Sequence, residues 1–180
     1  MALYGMVIDT LTCIGCGDCV VACQTENHVP EGLNRDWVVE ATSGRYPNLR
    51  TEFRSERCNH CTHATCVYAC PTGASHYWED TNIVLVDADL CTGCKACMAA
   101  CPYDARLVMR PQGYVDKCTF CHHRVAQGDD PACVSACPTH CMHFGRLDEP
   151  ASIVSQLLRA RQHKVLKPDT GNEPHVYYLT

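Results

Sequence analysis

Cysteine is the most numerous residue type in this sequence whose side chain could bind a metal or react. Cysteine accounts for 17 of the 180 residues, and 16 of the cysteines fall into four groups with short spacing. Groups one and three share the pattern C-x2-C-x2-C-x3-C, group two reads C-x2-C-x4-C-x3-C, and group four reads C-x2-C-x11-C-x3-C. A proline follows groups two, three and four. In chain order the groups are Cys13, Cys16, Cys19 and Cys23; Cys58, Cys61, Cys66 and Cys70; Cys91, Cys94, Cys97 and Cys101; and Cys118, Cys121, Cys133 and Cys137.

Three kinds of chemistry use this much sulfur. Disulfides between neighbours in a C-x2-C pair would close small, strained rings. Structural zinc sites commonly join two separate C-x2-C pairs around one ion, which group four on its own would resemble. The run C-x2-C-x2-C-x3-C-P is the spacing of bacterial ferredoxins, in which the fourth cysteine ligates a second cluster. The spacing therefore favours iron–sulfur clusters, and a structural zinc protein remains the remote alternative.

The charge of the chain and its missing motifs exclude several other functions. The formal net charge of −5 argues against a nucleic-acid binder. No apolar stretch is long enough for a transmembrane helix, and the first nine residues are typical of a strand instead of a signal peptide. No phosphate loop, dinucleotide fingerprint or hydrolase triad motif occurs, so the chain is not expected to catalyse a reaction on its own.

The residues around the cysteines fit thiolate-bound clusters. Gly15 and Gly93 lie inside the loops of groups one and three, where glycine allows positive φ. Clusters held by four thiolates add negative charge, which N–H groups and nearby cations must offset. For each basic residue near the loops, the sequence nevertheless predicts an ordinary solvated surface charge. These residues are Lys95, Arg106, Arg110, Lys117 and Arg124.

Short strands, turns and helices are expected between the cysteine groups. Residues 27–50 lack a clear period and are predicted to be an irregular insertion. Two hairpins are predicted, 76–78 with 83–87 and 107–109 with 114–116. Further predicted strands are 4–9, 50–54, 142–147 and 176–179, and predicted helices are 20–26 and 150–162.

Longer segments of the sequence carry a family resemblance. They include "CIGCGDCVVACQTENHVPEG", "CVYACPTGAS", "CPYDAR", "GYVDKCTFCHHR" and "PACVSACPTH", and they extend from residue 4 to about 152. With these segments the chain resembles the four-cluster iron–sulfur subunits of molybdopterin oxidoreductases of the dimethyl-sulfoxide reductase superfamily. Polysulfide and thiosulfate reductases are most similar, and the short linker between Cys101 and Cys118 favours that type over the arsenate type. Gln24, which follows group one in place of proline, is a departure that some relatives share.

The resemblance implies an α+β fold of two intertwined ferredoxin-like units of the bacterial 2[4Fe-4S] type, with insertions, a C-terminal helix and a terminal strand. Residues 1–57 and 103–148 would form the unit built on groups one and four. Residues 58–102 would form the unit built on groups two and three, and residues 149–180 the C-terminal helix and tail.

The resemblance also implies four [4Fe-4S] clusters with ligands that cross between the groups. The implied ligand sets are set A, Cys13, Cys16, Cys19 and Cys137; set B, Cys118, Cys121, Cys133 and Cys23; set C, Cys58, Cys61, Cys66 and Cys101; and set D, Cys91, Cys94, Cys97 and Cys70.

The implied function is electron transfer without catalysis. The partners would be a molybdopterin (Mo or W) catalytic subunit, on the side of sets A and B, and an integral membrane anchor subunit that interacts with quinone. The chain would meet the membrane only through that anchor, at its periplasmic (outer) face after co-export with the catalytic subunit, or alternatively at the cytoplasmic face. Anaerobic respiration of a sulfur compound is expected. An arsenate, tetrathionate, dimethyl sulfoxide or formate system, or a soluble polyferredoxin, is the alternative.

Five residues near the loops have no role in this scheme. Cys141 is predicted to be a small buried hydrophobic residue, and a redox-sensing or substitute-ligand role is the alternative. Four histidines near groups two and four are predicted to be packing or surface residues, although histidine can also couple protons to electrons. They are His60, His63, His122 and His123.

Overall fold

The computed structural model describes all residues from 1 to 180 and contains ten strands and six α-helices. None of its helices is long and apolar enough to cross a membrane. The strands are β1 Tyr4–Asp9, β2 Asp36–Arg45, β3 Asn48–Arg57, β4 Ser75–Tyr77, β5 Val84–Val86, β6 Leu107–Val108, β7 Val115–Asp116, β8 Met142–Arg146, β9 His163–Lys164 and β10 Val176–Leu179. The helices are α1 Asp18–Glu26, α2 Thr65–Tyr68, α3 Ala96–Ala99, α4 His122–Val125, α5 Ala132–Ser135 and α6 Ile153–Ala160.

A four-stranded sheet in the order β8-β1-β10-β9 divides the apolar core into two parts. Strand β1 runs parallel to β10 and antiparallel to β8. Because side chains alternate along a strand, Met6 and Ile8 face the larger core that contains the cysteines. Val7 faces the opposite side, where it packs with Val154 of α6 and Leu179. The sheet thus supports the cysteine-containing core from one side, and α6 covers the other face of the sheet.

The short helices next to the cysteines pack in two pairs. Helix α1, which follows group one, contacts α5 of group four, and α2 of group two contacts α3 of group three. The hairpins β4-β5 and β6-β7 lie between these helices in the chain. Mixed short helices and strands of this kind confirm the predicted α+β class.

A long two-stranded arm replaces the irregular insertion that the sequence predicts at 27–50, so that prediction was wrong for 36–50. Strands β2 and β3 pair antiparallel from Asp36 opposite Arg57 to Arg45 opposite Asn48. The base of the arm is buried, whereas residues 41–50 are exposed on both faces. An arm with two exposed faces has no apolar alternation, which is why the sequence pattern did not indicate its outer half.

Most other predicted elements agree with the structure to within a few residues. The strands predicted at 4–9 and 176–179 are β1 and β10, and both predicted hairpins form. The helix predicted at 150–162 begins later, at Ile153, because Ser152 has an extended conformation at the N-cap position. The two-residue strand β9, which pairs with β10, was not predicted.

Candidate functional site

A cavity lies between the group-one loop and the end of group four. Cys13, Cys16 and Cys19 line it from one side, and Cys137 lines it from the other. The loop approaches β3 closely, since a Cβ at Gly15 would lie 2.5 Å from a ring carbon of Phe53, and Gly15 has a φ of +70°. Glycine is therefore needed at this position for two reasons, a left-handed backbone and a lack of space.

A second cavity lies between groups two and three. Its sulfur-bearing side chains are those of Cys58, Cys61, Cys66 and Cys101. Each of the two cavities therefore combines three cysteines of one group with the last cysteine of another group. In both cases the four side chains are those of one ligand set implied by the sequence resemblance.

The remaining cysteines are also close to members of a second group. The side-chain amide of Asn27 lies 3.7 Å from the Sγ atoms of both Cys23 and Cys121. Burial raises the pKa of Cys23, and Cys118 and Cys133 of group four are among the neighbours that raise it further. The structure thus brings the last cysteine of group one to group four.

The last cysteine of group two lies near group three. Burial raises the pKa of the Cys97 thiol, and Cys66 and Cys70 are among the groups that raise it further. Backbone N–H groups donate to sulfur on both sides of this region, from Ser75 to Cys70 at 3.4 Å and from Val115 to Cys91 at 3.5 Å.

The thiol chemistry suits metal clusters. All 17 cysteines are free, and no group of three or more His, Cys, Asp or Glu side chains is close enough together to hold a single metal ion. Burial raises the pKa of Cys118 to about 12 and that of Cys133 to about 11, in both cases against the effect of Arg57. Such thiols keep their protons at neutral pH unless a metal replaces them, so cluster insertion would release protons.

Several buried donors have no acceptor within the protein. They are the hydroxyl of Tyr103, the Nε and Nη1 atoms of Arg106, and the Nε atom of Arg57. Tyr103 and Arg106 line the cavity between groups two and three. Because buried donors are nearly always hydrogen-bonded, these groups point to acceptors that the chain itself does not supply. The sulfur atoms of iron–sulfur clusters are such acceptors, so the residues present fit the group.

Two predictions about basic residues were wrong. Arg106 and Lys117, expected to be solvated surface charges, are 7% and 0% exposed. Their burial results from packing between cysteine groups that are distant in sequence, which a local pattern does not reveal. Lys95 and Arg110 are exposed, as predicted, and Arg124 is half-buried in an ion pair with Glu26. A third buried cation, Arg57, was missed: the other charged residues of its strand are exposed or only partly buried, and the local pattern does not set Arg57 apart from them.

The histidines play the packing and surface roles that were predicted. His60 is fully buried and stacks on Phe120, with ring centroids 3.8 Å apart. Its Nδ1 accepts a hydrogen bond from the N–H of Val84 at 3.0 Å, and burial lowers its pKa well below the usual range. His63 and His123 lie at the surface near Glu173 and Glu26, and His122 is half-buried.

Cys141 is buried as predicted, at 3% exposure, but it is not merely apolar packing. Its Sγ lies 3.4 Å from the Sγ of Cys137, and its side chain lines the cavity between groups one and four. Burial raises the pKa of Cys141, whereas hydrogen bonds from Thr139 and Cys141 lower the pKa of Cys137 against the effect of burial. The two sulfur atoms are therefore within hydrogen-bond distance, and with Cys137 bound to a cluster as a thiolate the Cys141 thiol would be the donor.

Comparison with known proteins gives matches over nearly the whole chain. Two models of the 4Fe-4S dicluster domain match residues 12–74 and 49–147. Protein NrfC of Escherichia coli (strain K12) is 45% identical over 176 residues, which cover 97% of this chain and 79% of that protein. The arsenate respiratory reductase iron–sulfur subunit ArrB of Shewanella sp. (strain ANA-3) is 35% identical, with 97% and 95% covered. A tetrathionate reductase subunit of Archaeoglobus fulgidus is 44% identical, with 98% and 82% covered.

Proposed function

The chain belongs to the iron–sulfur subunits of molybdopterin oxidoreductases, and on that premise we propose that it relays single electrons through four [4Fe-4S] clusters. The relay would join a molybdopterin catalytic subunit to a quinone-linked membrane anchor subunit, and the chain itself would be non-catalytic. The observation that carries the proposal is the pair of cavities, each lined by three cysteines of one group and the last cysteine of another.

The proposed ligands are the 16 cysteines of sets A to D. The two cavities support sets A and C directly. The contacts of Asn27 with Cys23 and Cys121 support set B, and the effect of Cys70 on Cys97 supports set D. The packing of α1 against α5 and of α2 against α3 supports the division into a unit of 1–57 with 103–148, a unit of 58–102, and the tail 149–180.

The protein would set the reduction potential of each cluster and thereby the distribution of electrons among the clusters. Each cluster, when bound, accepts and gives up one electron at a time. The chain supplies N–H donors to cysteine sulfur, for example from Phe120 to Cys118 at 3.5 Å, and these bonds stabilise negative charge on sulfur. The first two cysteines of groups two and four are buried, so water is excluded from the middle of the relay.

We propose that the clusters follow the order A, B, C, D along the relay. His60 of group two and Phe120 of group four stack on each other, which supports adjacent positions for sets B and C. Cys16 and Cys94 are the exposed cysteines, and they belong to sets A and D. The two ends of this order would therefore be the points where partners exchange electrons with the chain.

The partners, the substrate and the location are carried over from the family resemblance. A sulfur compound would be respired at the catalytic subunit, and an arsenate, tetrathionate, dimethyl sulfoxide or formate system is the alternative. The chain would lie at the outer face of the cytoplasmic membrane after co-export. Protease added to intact spheroplasts should then digest it, whereas a protected chain would favour the cytoplasmic face.

The first test of the relay is metal content. Anaerobically purified protein should contain about 16 iron and about 16 acid-labile sulfide per chain, as four cubane clusters require. About four zinc ions with little sulfide would instead identify a structural zinc protein. A membrane subunit that co-purifies in detergent supports the respiratory complex, whereas a chain that purifies alone with full iron would indicate a soluble polyferredoxin.

A further inference from the structure

We propose that three buried cations separate successive cysteine sets and raise the reduction potentials of the clusters on either side. These junction cations are Arg57 between sets A and B, Lys117 between sets B and C, and Arg106 between sets C and D. The inference rests on the proposed four-cluster relay and adds residues that set its potentials.

Arg57 connects sets A and B through hydrogen bonds. Its guanidinium is 1% exposed, and its Nη1 donates to the Sγ of Cys133 in set B at 2.9 Å. Its Nη2 donates to the hydroxyl of Ser55, and that hydroxyl lies 3.5 Å from the Sγ of Cys19 in set A. The carboxylate of Asp36, 3.5 Å from Nη2, balances part of the positive charge.

Lys117 connects sets B and C. Its ammonium group is fully buried and donates to the carbonyl oxygens of Val84 and Cys118. Cys118 belongs to set B, and Val84 lines the cavity of set C. The ammonium group of Lys117 therefore lies where the two sets meet, bonded to a residue of set B and to a residue that lines the cavity of set C.

Arg106 connects sets C and D. Its side chain is 7% exposed and lines the cavity of set C. Its Nη2 donates to the Ser75 hydroxyl at 2.7 Å, and the Ser75 N–H donates to the Sγ of Cys70 in set D. The Nε and Nη1 atoms of Arg106 have no acceptor in the protein. These donors are available to the cluster of set C.

The charge balance explains why the chain buries these cations. Neither Lys117 nor Arg106 forms a salt bridge with a carboxylate. A buried cation without a counter-charge is costly, so a negative partner is required. Thiolate-bound clusters provide that negative charge, and each added electron increases it. A cation in the low-dielectric interior stabilises the reduced form of a neighbouring cluster and thereby raises its reduction potential.

The test is a potentiometric titration, followed by electron paramagnetic resonance, of the anaerobically purified complex. The variants are Arg57→Gln, Lys117→Met and Arg106→Gln, and Arg159→Gln on the exposed end of α6 is the matched control. Arg57→Gln should lower the potentials of two of the four transitions, and Arg106→Gln should lower those of the other two. Lys117→Met should lower one transition from each pair. Each affected cluster should show at least a tenfold change in its ratio of reduced to oxidised form at fixed potential, which is about 59 mV for one electron.

This pattern needs no assignment of signals to individual clusters. Variants with full iron and sulfide but unshifted potentials, or with shifts no larger than those of Arg159→Gln, would overturn the inference. If a Gln variant loses iron, the variants Arg57→Lys and Arg106→Lys distinguish a requirement for charge from a structural role. Retained iron and potentials in the Lys variants identify charge as the requirement, whereas loss of iron there as well would make the role structural. Fewer than four clusters in the unsubstituted protein would overturn the proposed relay instead.

Discussion

Groups one and three differ from groups two and four in the residue that precedes the second cysteine of each loop. In groups one and three this residue is glycine, Gly15 and Gly93, with φ values of +70° and +67°. In groups two and four it is His60 and Phe120, with φ values of 44° and 50°. All four loops therefore have a left-handed backbone at this position. Only groups one and three have glycine there, the residue that adopts this conformation without steric cost.

The difference follows from what surrounds each loop. The glycine loops contain the exposed Cys16 and Cys94, and a Cβ at Gly93 would lie 2.5 Å from the carbonyl oxygen of Gly113. The other two loops meet in the interior, where the rings of His60 and Phe120 are 0% and 1% exposed and stack on each other. Burial of the rings offsets the cost of the left-handed backbone, which is about 1–2 kcal/mol per residue. The proposed relay would thus have solvent-exposed ends and a buried middle.

The largest effect is expected from a change in a crossing ligand. Cys137→Ser should remove or degrade the cluster of set A, because Cys137 lines the cavity of group one. Iron should fall from about 16 to about 12–15 per chain, depending on whether the whole cluster or one iron is lost. Iron analysis and electron paramagnetic resonance measure this. Loss of a group-four signal with the group-one signal intact would contradict the crossed sets and the order of the relay.

The stability of the buried loops of groups two and four should depend on the ring of Phe120. Phe120→Gly relieves the backbone but leaves a cavity beside His60, so stability should fall by about 3 kcal/mol. For a chain of this length that corresponds to a melting midpoint about 6–12 °C lower. Thermal loss of the visible cluster absorbance measures the midpoint. Tyr46→Ala, which changes an aromatic residue that is 89% exposed, is the control and should leave the midpoint unchanged. An unchanged midpoint in Phe120→Gly would show that the stacked pair does not support the central loops.

In the exposed loop of group three, stability should depend on glycine because of the backbone conformation and the lack of space for a side chain. Gly93→Ala combines a left-handed φ with a steric clash, and stability should fall by at least about 2 kcal/mol. Gly73→Ala has a similar φ of +71° but no atom within 4 Å, so it isolates the backbone cost of about 1 kcal/mol. The same thermal assay compares them. Equal midpoints would show that the close approach to Gly113 is accommodated at no cost.

The smallest effect is expected at Cys141. Cys141→Ser should keep all the iron, since the set A ligands remain in place. The reduction potential of one of the four clusters should shift by less than the equivalent of a tenfold change in its ratio of reduced to oxidised form, because a hydroxyl replaces the thiol that lies within hydrogen-bond distance of Cys137. Iron analysis and redox titration measure both. Loss of iron from Cys141→Ser together with full iron in Cys137→Ser would make Cys141 the ligand and would remove Cys137 from its proposed role.

Local sequence patterns were sufficient to predict the features that are defined by residues close together in the chain. The spacing of the cysteines indicated iron–sulfur chemistry, and the glycines at 15 and 93 indicated left-handed turns in two of the loops. The core strands β1 and β10 could be located from their apolar residues. The spacing also indicated that the fourth cysteine of such a run ligates a second cluster, but which groups exchange ligands was available only through the family resemblance.

Tertiary structure alone decided which charges are inside. Arg57 contacts Cys133 across 76 residues of sequence, and Lys117 reaches the carbonyl of Val84 across 33. Nothing in their sequence neighbourhoods distinguishes them from Lys95 or Arg110, which are exposed. The physical reason is that a thiolate loop is specified by residues a few positions apart, whereas the burial of a cation depends on which distant loops pack around it and on the negative charge that those loops carry.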